Sequence, residues 1–187
     1  MILGSICFGI LIEVKVYAGV LILGGLLVSG IWRILKEKKW DYLIVFVCSL
    51  IISLIIFLSS LKGSSKLVVW QPFWFLETMM GAADRLGWTR FYSAMLNYKS
   101  GGVWFKGILA YSGAFVIFII GNFATRLLAL KNMNLKKLTP LDLFIWSIIF
   151  AGILIPTLFL QKGNSWNTIQ FFYYSLFFSG IMAGIFL

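Results

Sequence analysis

Two acidic residues, Glu77 and Asp84, stand close to two arginines, Arg85 and Arg90, in a stretch dense with aromatic rings. A carboxylate can take a proton from an attacking hydroxyl, and a guanidinium fork can hold a phosphate through parallel hydrogen bonds. These types fit group transfer from a phosphorylated donor, with Asp84 or Glu77 as base or metal ligand and Arg85 or Arg90 holding phosphate. A second cluster, Trp166, Asn167 and Gln170, follows much later in the chain. Amides beside an aromatic face suit a sugar, which offers hydroxyls on its edges and C–H groups on its faces. The chain has no histidine, which removes Ser-His-Asp and Cys-His nucleophiles and every His-ligated metal site. Cys7 and Cys48 lie in apolar runs and read as small buried hydrophobes, with neither metal-ligand spacing nor a disulfide framework. No metal is expected, and no cofactor is indicated.

Elements must position these groups. The segment from Trp70 to Gly87 suits a helix that begins at Pro72 and stops near Gly87. At 100° per residue Phe73, Glu77, Met80 and Asp84 would share a face, with the two carboxylates about 10 Å apart along the axis. That is too far for both to bind one ion. The competing reading is a helix lying in the membrane interface, its rings at headgroup level and Arg85 and Arg90 at lipid phosphates. A helix would also gather Trp166, Asn167 and Gln170 on one side, with Asn164 or Ser165 as its cap. A headgroup-level aromatic belt accounts for the same residues.

Around these pieces lie apolar runs near residues 16–35, 41–61, 107–129, 141–160 and 171–187. Each is about as long as a helix needs to cross a hydrocarbon core of about 30 Å, and none alternates as a barrel strand does. With 61% hydrophobic and 12% charged residues, the composition is that of a membrane protein rather than a soluble domain. The expected fold is all-α: a single integral membrane domain over 1–187, with about five transmembrane helices and an amphipathic extracytoplasmic helical insert at 62–106. The stretch Ile2–Ile12 is too short to span and reads as an interfacial segment or the remnant of a preceding helix. The chain stops inside an apolar run, so it is expected to be a portion of a larger membrane protein. Ser49/Ser53, Ser175/Ser179 and Gly180/Gly184 have the small-xxx-small spacing of close helix packing. No span carries a central Asp, Glu, Lys or Arg, which counts against an ion-coupled transporter.

The chain holds 16 Lys+Arg against 6 Asp+Glu. The basic blocks are short and flank the apolar runs, so they read as topology signals and lipid contacts, not as a nucleic-acid surface. Arg33, Lys36, Lys38 and Lys39 cluster between the first two spans, and Arg126, Lys131, Lys136 and Lys137 between the third and fourth. The positive-inside tendency puts loops 36–40 and 130–140 in the cytoplasm, and alternation then puts 62–106 and 161–170 outside.

This pattern resembles polytopic bacterial membrane proteins of the C-type glycosyltransferase kind, on the strength of Trp70–Arg90 with Glu77, Asp84 and Arg85, and of Trp166-Asn-Thr-Ile-Gln170 before an aromatic helix. The resemblance implies transfer of a sugar from a polyprenyl-phosphate donor at the extracytoplasmic face of a bacterial cytoplasmic membrane, using an external acidic base. It would make Asp84 the favoured base and Glu77 the alternative. Arg85 and Arg90 would bind phosphate, and Trp166, Asn167 and Gln170 would touch sugar or acceptor. The chain has no pair of adjacent acidic residues and no Trp-Trp-Asp signature. A non-catalytic membrane subunit or scaffold is the alternative from another class, with a transporter third.

Overall fold

Long apolar runs without backbone partners outside themselves close into helices, and eight α-helices hold most of the described residues. The computed structural model describes residues 1–60, 68–133 and 138–186. Among these, five helical segments are long and apolar enough to cross a membrane. In chain order the elements are α1 (Ile2–Val14), α2 (Val16–Glu37), α3 (Asp41–Ser60), β1 (Val68–Trp70), α4 (Trp74–Gly81), α5 (Thr89–Ser100) and α6 (Trp104–Phe123). A 3₁₀ segment (Ala124–Asn132), α7 (Pro140–Leu158), β2 (Phe159–Gln161), a short 3₁₀ turn (Ser165–Ile169) and α8 (Gln170–Phe186) complete it. The protein is an integral membrane protein of the all-α class.

The spans begin close to where the apolar runs begin. The third departs most: its α-helix ends at Phe123, not 129, and Ala124 adopts φ 42°, ψ −118° before the 3₁₀ segment. Asn122 Nδ2 donates to the Phe118 carbonyl at 2.8 Å, a side-chain bond of the kind that competes with the helical ladder. The expected ends of the second and fifth spans, Leu61 and Leu187, lie outside the described residues, as do Lys136 and Lys137 of the second basic loop and residues 62–67 of the insert.

The stretch of unassigned role at the start of the chain is α1, a 13-residue helix packed along α3. Ser49 Oγ donates to the Ser5 carbonyl at 3.2 Å and Ser53 Oγ to the Gly9 carbonyl at 2.9 Å. Gly9 permits this approach, because a Cβ there would meet Ile52 at 2.7 Å. Small residues four apart on α3 thus mark a real helix seam, held by hydroxyls that would otherwise be unpaired in an apolar medium. The α7–α8 seam works alike. Ser175 Oγ donates to the Ile149 carbonyl at 2.7 Å, and Gly152 faces Ser175 and the Phe171 carbonyl with no space for a Cβ. By contrast Gly184 meets nothing within 4 Å and Gly180 faces only Arg126, so the Gly180/Gly184 motif forms no helix seam among the described residues. Cys7, expected buried, is exposed on α1, and Cys48 is half-buried.

Arg33 closes the α2–α3 turn through ion pairs to Glu37 (3.1 Å) and Asp41 (3.2 Å), with its guanidinium 4.9 Å from the Tyr42 ring. α7 opens on a capping box between Thr139 and Asp142, with Pro140 as its first residue. The opposite end of the bundle carries a roof. There β1 pairs antiparallel with β2, Val68 opposite Gln161 and Trp70 opposite Phe159. The last two carbonyls of α7, orphaned by the helix end, accept from the roof, Thr157 from Phe73 N (2.6 Å) and Leu158 from Gln71 N (3.0 Å), and the first carbonyl of β2, Phe159, accepts from Trp74 Nε1 (2.9 Å).

Those bonds correct the expected insert helix. With the Phe73 N–H committed to α7, helix α4 starts at Trp74, and Phe73 caps it at φ 65°. It stops at Gly81, on which the Tyr92 ring packs at 3.1 Å from a would-be Cβ, and Ala82 is extended. A second helix, α5, follows the turn. Asp84 therefore leaves the face it was expected to share with Glu77 and Met80: Met80 is fully buried while the Asp84 side chain is 75% exposed.

Candidate functional site

Of the expected site residues, Arg85 and Trp166 lie on one side of α4 with Asp84, and Glu77 lies on the other. Phe75 and Met79 point to one side, into a cavity of about 280 Å³ walled also by Phe118, Asn122 and Phe172. Arg85, from the turn after α4, and Trp166, from the 3₁₀ turn after β2, both border that cavity. The Arg85 guanidinium lies 4.7 Å from the centroid of the Trp166 ring, and Arg85 Nε lies 3.4 Å from Asp84 Oδ2. Asp84, Arg85 and Trp166 thus share one rim.

Local chemistry fixes the Trp166 side of that rim. Asn164 Oδ1 accepts from Trp166 N at 3.2 Å, the cap expected from the sequence. The Trp74 ring meets the Trp166 ring edge-to-face, with centroids 6.1 Å apart. Thr168 Oγ1 accepts from Gln161 N (2.9 Å), and Gln161 Oε1 accepts from Tyr17 Oη (2.9 Å), tying the turn to β2 and α2. Asn167 and Gln170 stand beside this rim but are engaged with each other, Gln170 Nε2 donating to Asn167 Oδ1 at 3.4 Å. Arg90, in the first turn of α5, is exposed and makes no hydrogen bond or ion pair among the described residues.

Glu77 lies on the other side. Its Oε1 accepts from Tyr111 Oη at 2.5 Å and from Lys99 Nζ at 2.7 Å, and the Glu77 side chain is only 16% exposed. One carboxylate oxygen thus joins α4, α5 and α6. Tyr111 and Lys99 border a groove of about 630 Å³ between α6 and α7. Sequence reasoning missed both partners. Lys99 reads as one more basic residue of the insert, and Tyr111 is hidden in an apolar run; only their distance in the fold links them to Glu77.

Chemically, the Arg85–Trp166 rim can take an anion and an apolar or sugar face together. The guanidinium is half-exposed and the Asp84 carboxylate is open to a hydroxyl. No group of three His, Cys, Asp or Glu residues that could hold a metal ion occurs among the described residues. No family model, curated protein or solved structure matches the chain.

Proposed function

We propose that this chain is a glycosyltransferase-like membrane protein, or part of one, that works on a lipid-linked sugar at the extracytoplasmic face of a bacterial cytoplasmic membrane. The observation that carries the reading is the placement of Arg85 over Trp166 at the mouth of an aromatic cavity. An arginine fork suits the phosphate of a polyprenyl-phosphate donor, an indole face suits a sugar ring, and Phe75, Phe118 and Phe172 suit the first isoprene units. Asp84 is the base in this reading. It takes the proton of an acceptor hydroxyl whose oxygen bonds to the anomeric carbon as the bond from that carbon to the phosphate oxygen breaks. Arg85 stabilises the polyprenyl phosphate that departs. Asn167, Gln170 and Arg90 are assigned to the acceptor or to an incoming headgroup, with Glu77 the alternative base.

Sidedness belongs to the same proposal. Loops 36–40 and 130–140 are assigned to the cytoplasm, and 62–106 and 161–170 to the outside. The pairing of β1 with β2 supports a common side for the last two, since it joins one to the threshold of the other.

The test is labelling of the detergent-solubilised protein by a photoreactive polyprenyl phosphate. Labelling that competes with unlabelled lipid and is lost in Arg85→Ala and in Trp166→Ala supports the reading. Equal labelling of wild type and both variants removes it. A second reading, a non-catalytic subunit or scaffold, is favoured by one observation: the best-buried external carboxylate, Glu77, is already held by Lys99 and Tyr111 as a structural tie.

A further inference from the structure

We infer that the groove between α6 and α7 is a binding site for an anionic phospholipid of the bilayer, with its phosphate on Lys99. This does not depend on the proposed sugar transfer, because the groove and the Arg85 cavity lie on opposite sides of α4. Along α6 the groove is bordered by Trp104, Ile108, Tyr111 and Phe115, a ladder of three- and four-residue steps on one helix face, with Val116 beside its lower end. From Trp104 to Val116 that face runs about 18 Å down the helix axis. Its lining is almost wholly apolar along that length, which suits a lipid tail lying along a helix.

Lys99, the one charged residue among those lining the groove, stands at the roof end. Tyr111 Oη and Lys99 Nζ both donate to Glu77 Oε1, which holds the lysine at the mouth while its side chain stays 54% exposed. Lys106 follows in the first turn of α6 and is exposed, and Trp104 beside it is 78% exposed. Exposed tryptophan with lysine at the end of a span is the composition of the headgroup level. Glu77 balances one of the two lysine charges at this end, so Lys99 and Lys106 leave the mouth with a net charge of +1, and Lys99 gives only one of its three N–H groups to Glu77; a phosphate with a chain beneath it complements that order.

The experiment is native mass spectrometry of the detergent-solubilised protein titrated with phosphatidylglycerol or phosphatidylcholine of the same chains. Wild type is expected to bind phosphatidylglycerol about fivefold more tightly, the effect of one basic residue at an anionic headgroup. Lys99→Ala should lose that preference. Should Lys99→Ala fail to fold, Val116→Trp decides, because it fills the groove without touching Glu77, Lys99 or Tyr111. Loss of bound phosphatidylglycerol in Val116→Trp, with its retention in Arg85→Ala, is the expected result. Equal binding of the two lipids by wild type overturns the inference. So does an undiminished preference in Val116→Trp, a loss in Arg85→Ala, or displacement of the lipid by polyprenyl phosphate.

Discussion

The guanidinium of Arg85 lies 4.7 Å from the centre of the Trp166 ring, joining two roof segments that the sequence separates by two membrane spans. Neither residue is buried, so the pair itself contributes only about 0.5–1 kcal/mol to stability. Its value is positional: it gathers a cation, an aromatic face and the Asp84 carboxylate at one cavity mouth. Arg85→Ala is expected to leave the detergent melting temperature nearly unchanged while weakening polyprenyl-phosphate binding at least tenfold, or about 1.4 kcal/mol. Titration of the photoreactive lipid against both proteins checks this. A large fall in melting temperature would make the pair a structural tie instead.

Asp84→Asn separates binding from chemistry. It removes a proton acceptor of nearly the same shape from a side chain that is 75% exposed, so folding and lipid labelling should persist. Transfer from a polyprenyl-phosphate sugar should fall by about 100-fold or more, the usual scale of a lost general base. Transfer at the wild-type rate by Asp84→Asn, but not by Glu77→Gln, would move the base to Glu77.

Glu77 is the stronger structural residue. Glu77→Ala deletes the acceptor of two hydrogen bonds that link α4, α5 and α6, and it should destabilise the protein by about 1–3 kcal/mol. Much of that reflects the part-buried Tyr111 hydroxyl, since Lys99 is half-exposed and its charge can be met by water. A thermal-denaturation double-mutant cycle with Tyr111→Phe should return a coupling energy of about 1 kcal/mol. Additive effects of the two substitutions would show that the contact carries no energy.

The α7–α8 seam offers a packing test. In Gly152→Val the new side chain has to displace Ser175 and the Phe171 carbonyl, and the cost should reach the upper end of overpacking, about 3 kcal/mol. Gly184→Val, where a Cβ meets nothing within 4 Å, should be tolerated. Comparing the folded fraction of each after solubilisation distinguishes a seam from a free face.

Much of this architecture is written in the sequence, because lipid imposes a strong constraint. A run such as 141–160 has no alternative to a helix in hydrocarbon, and the helix begins one residue before it, at Pro140, where the Thr139–Asp142 capping box starts it. The serines of α3 likewise announce a seam, although only the fold identifies α1 as the helix that fills it. The roof was less legible because its boundaries are set by distant atoms. Helical periodicity ran through Phe73 to Asp84, but the Phe73 amide is taken by the Thr157 carbonyl and Gly81 lies under Tyr92, so the helix is cut at both ends. The same cut divided the candidate site. Arg85 and Trp166 met as a pair of the expected types, whereas Glu77 found Lys99 and Tyr111, partners that no local spacing reveals.

Sidedness can be read with cysteine probes. After replacement of Cys7 and Cys48, single cysteines at Asp84 and Lys162 should react with a membrane-impermeant maleimide from one side of the membrane, and one at Lys38 from the other. Reaction of positions 84 and 162 from opposite sides would contradict the pairing of β1 with β2.

The most direct test of the central claim is to locate the adduct of a polyprenyl phosphate whose photoreactive group sits in the first isoprene unit. The label is expected on peptides holding Phe75, Trp166 or Phe172, and Arg85→Ala is expected to remove it. A label found only on the outward faces of α3 or α6, undiminished in Arg85→Ala, would contradict it and leave the Arg85–Trp166 pair a surface contact.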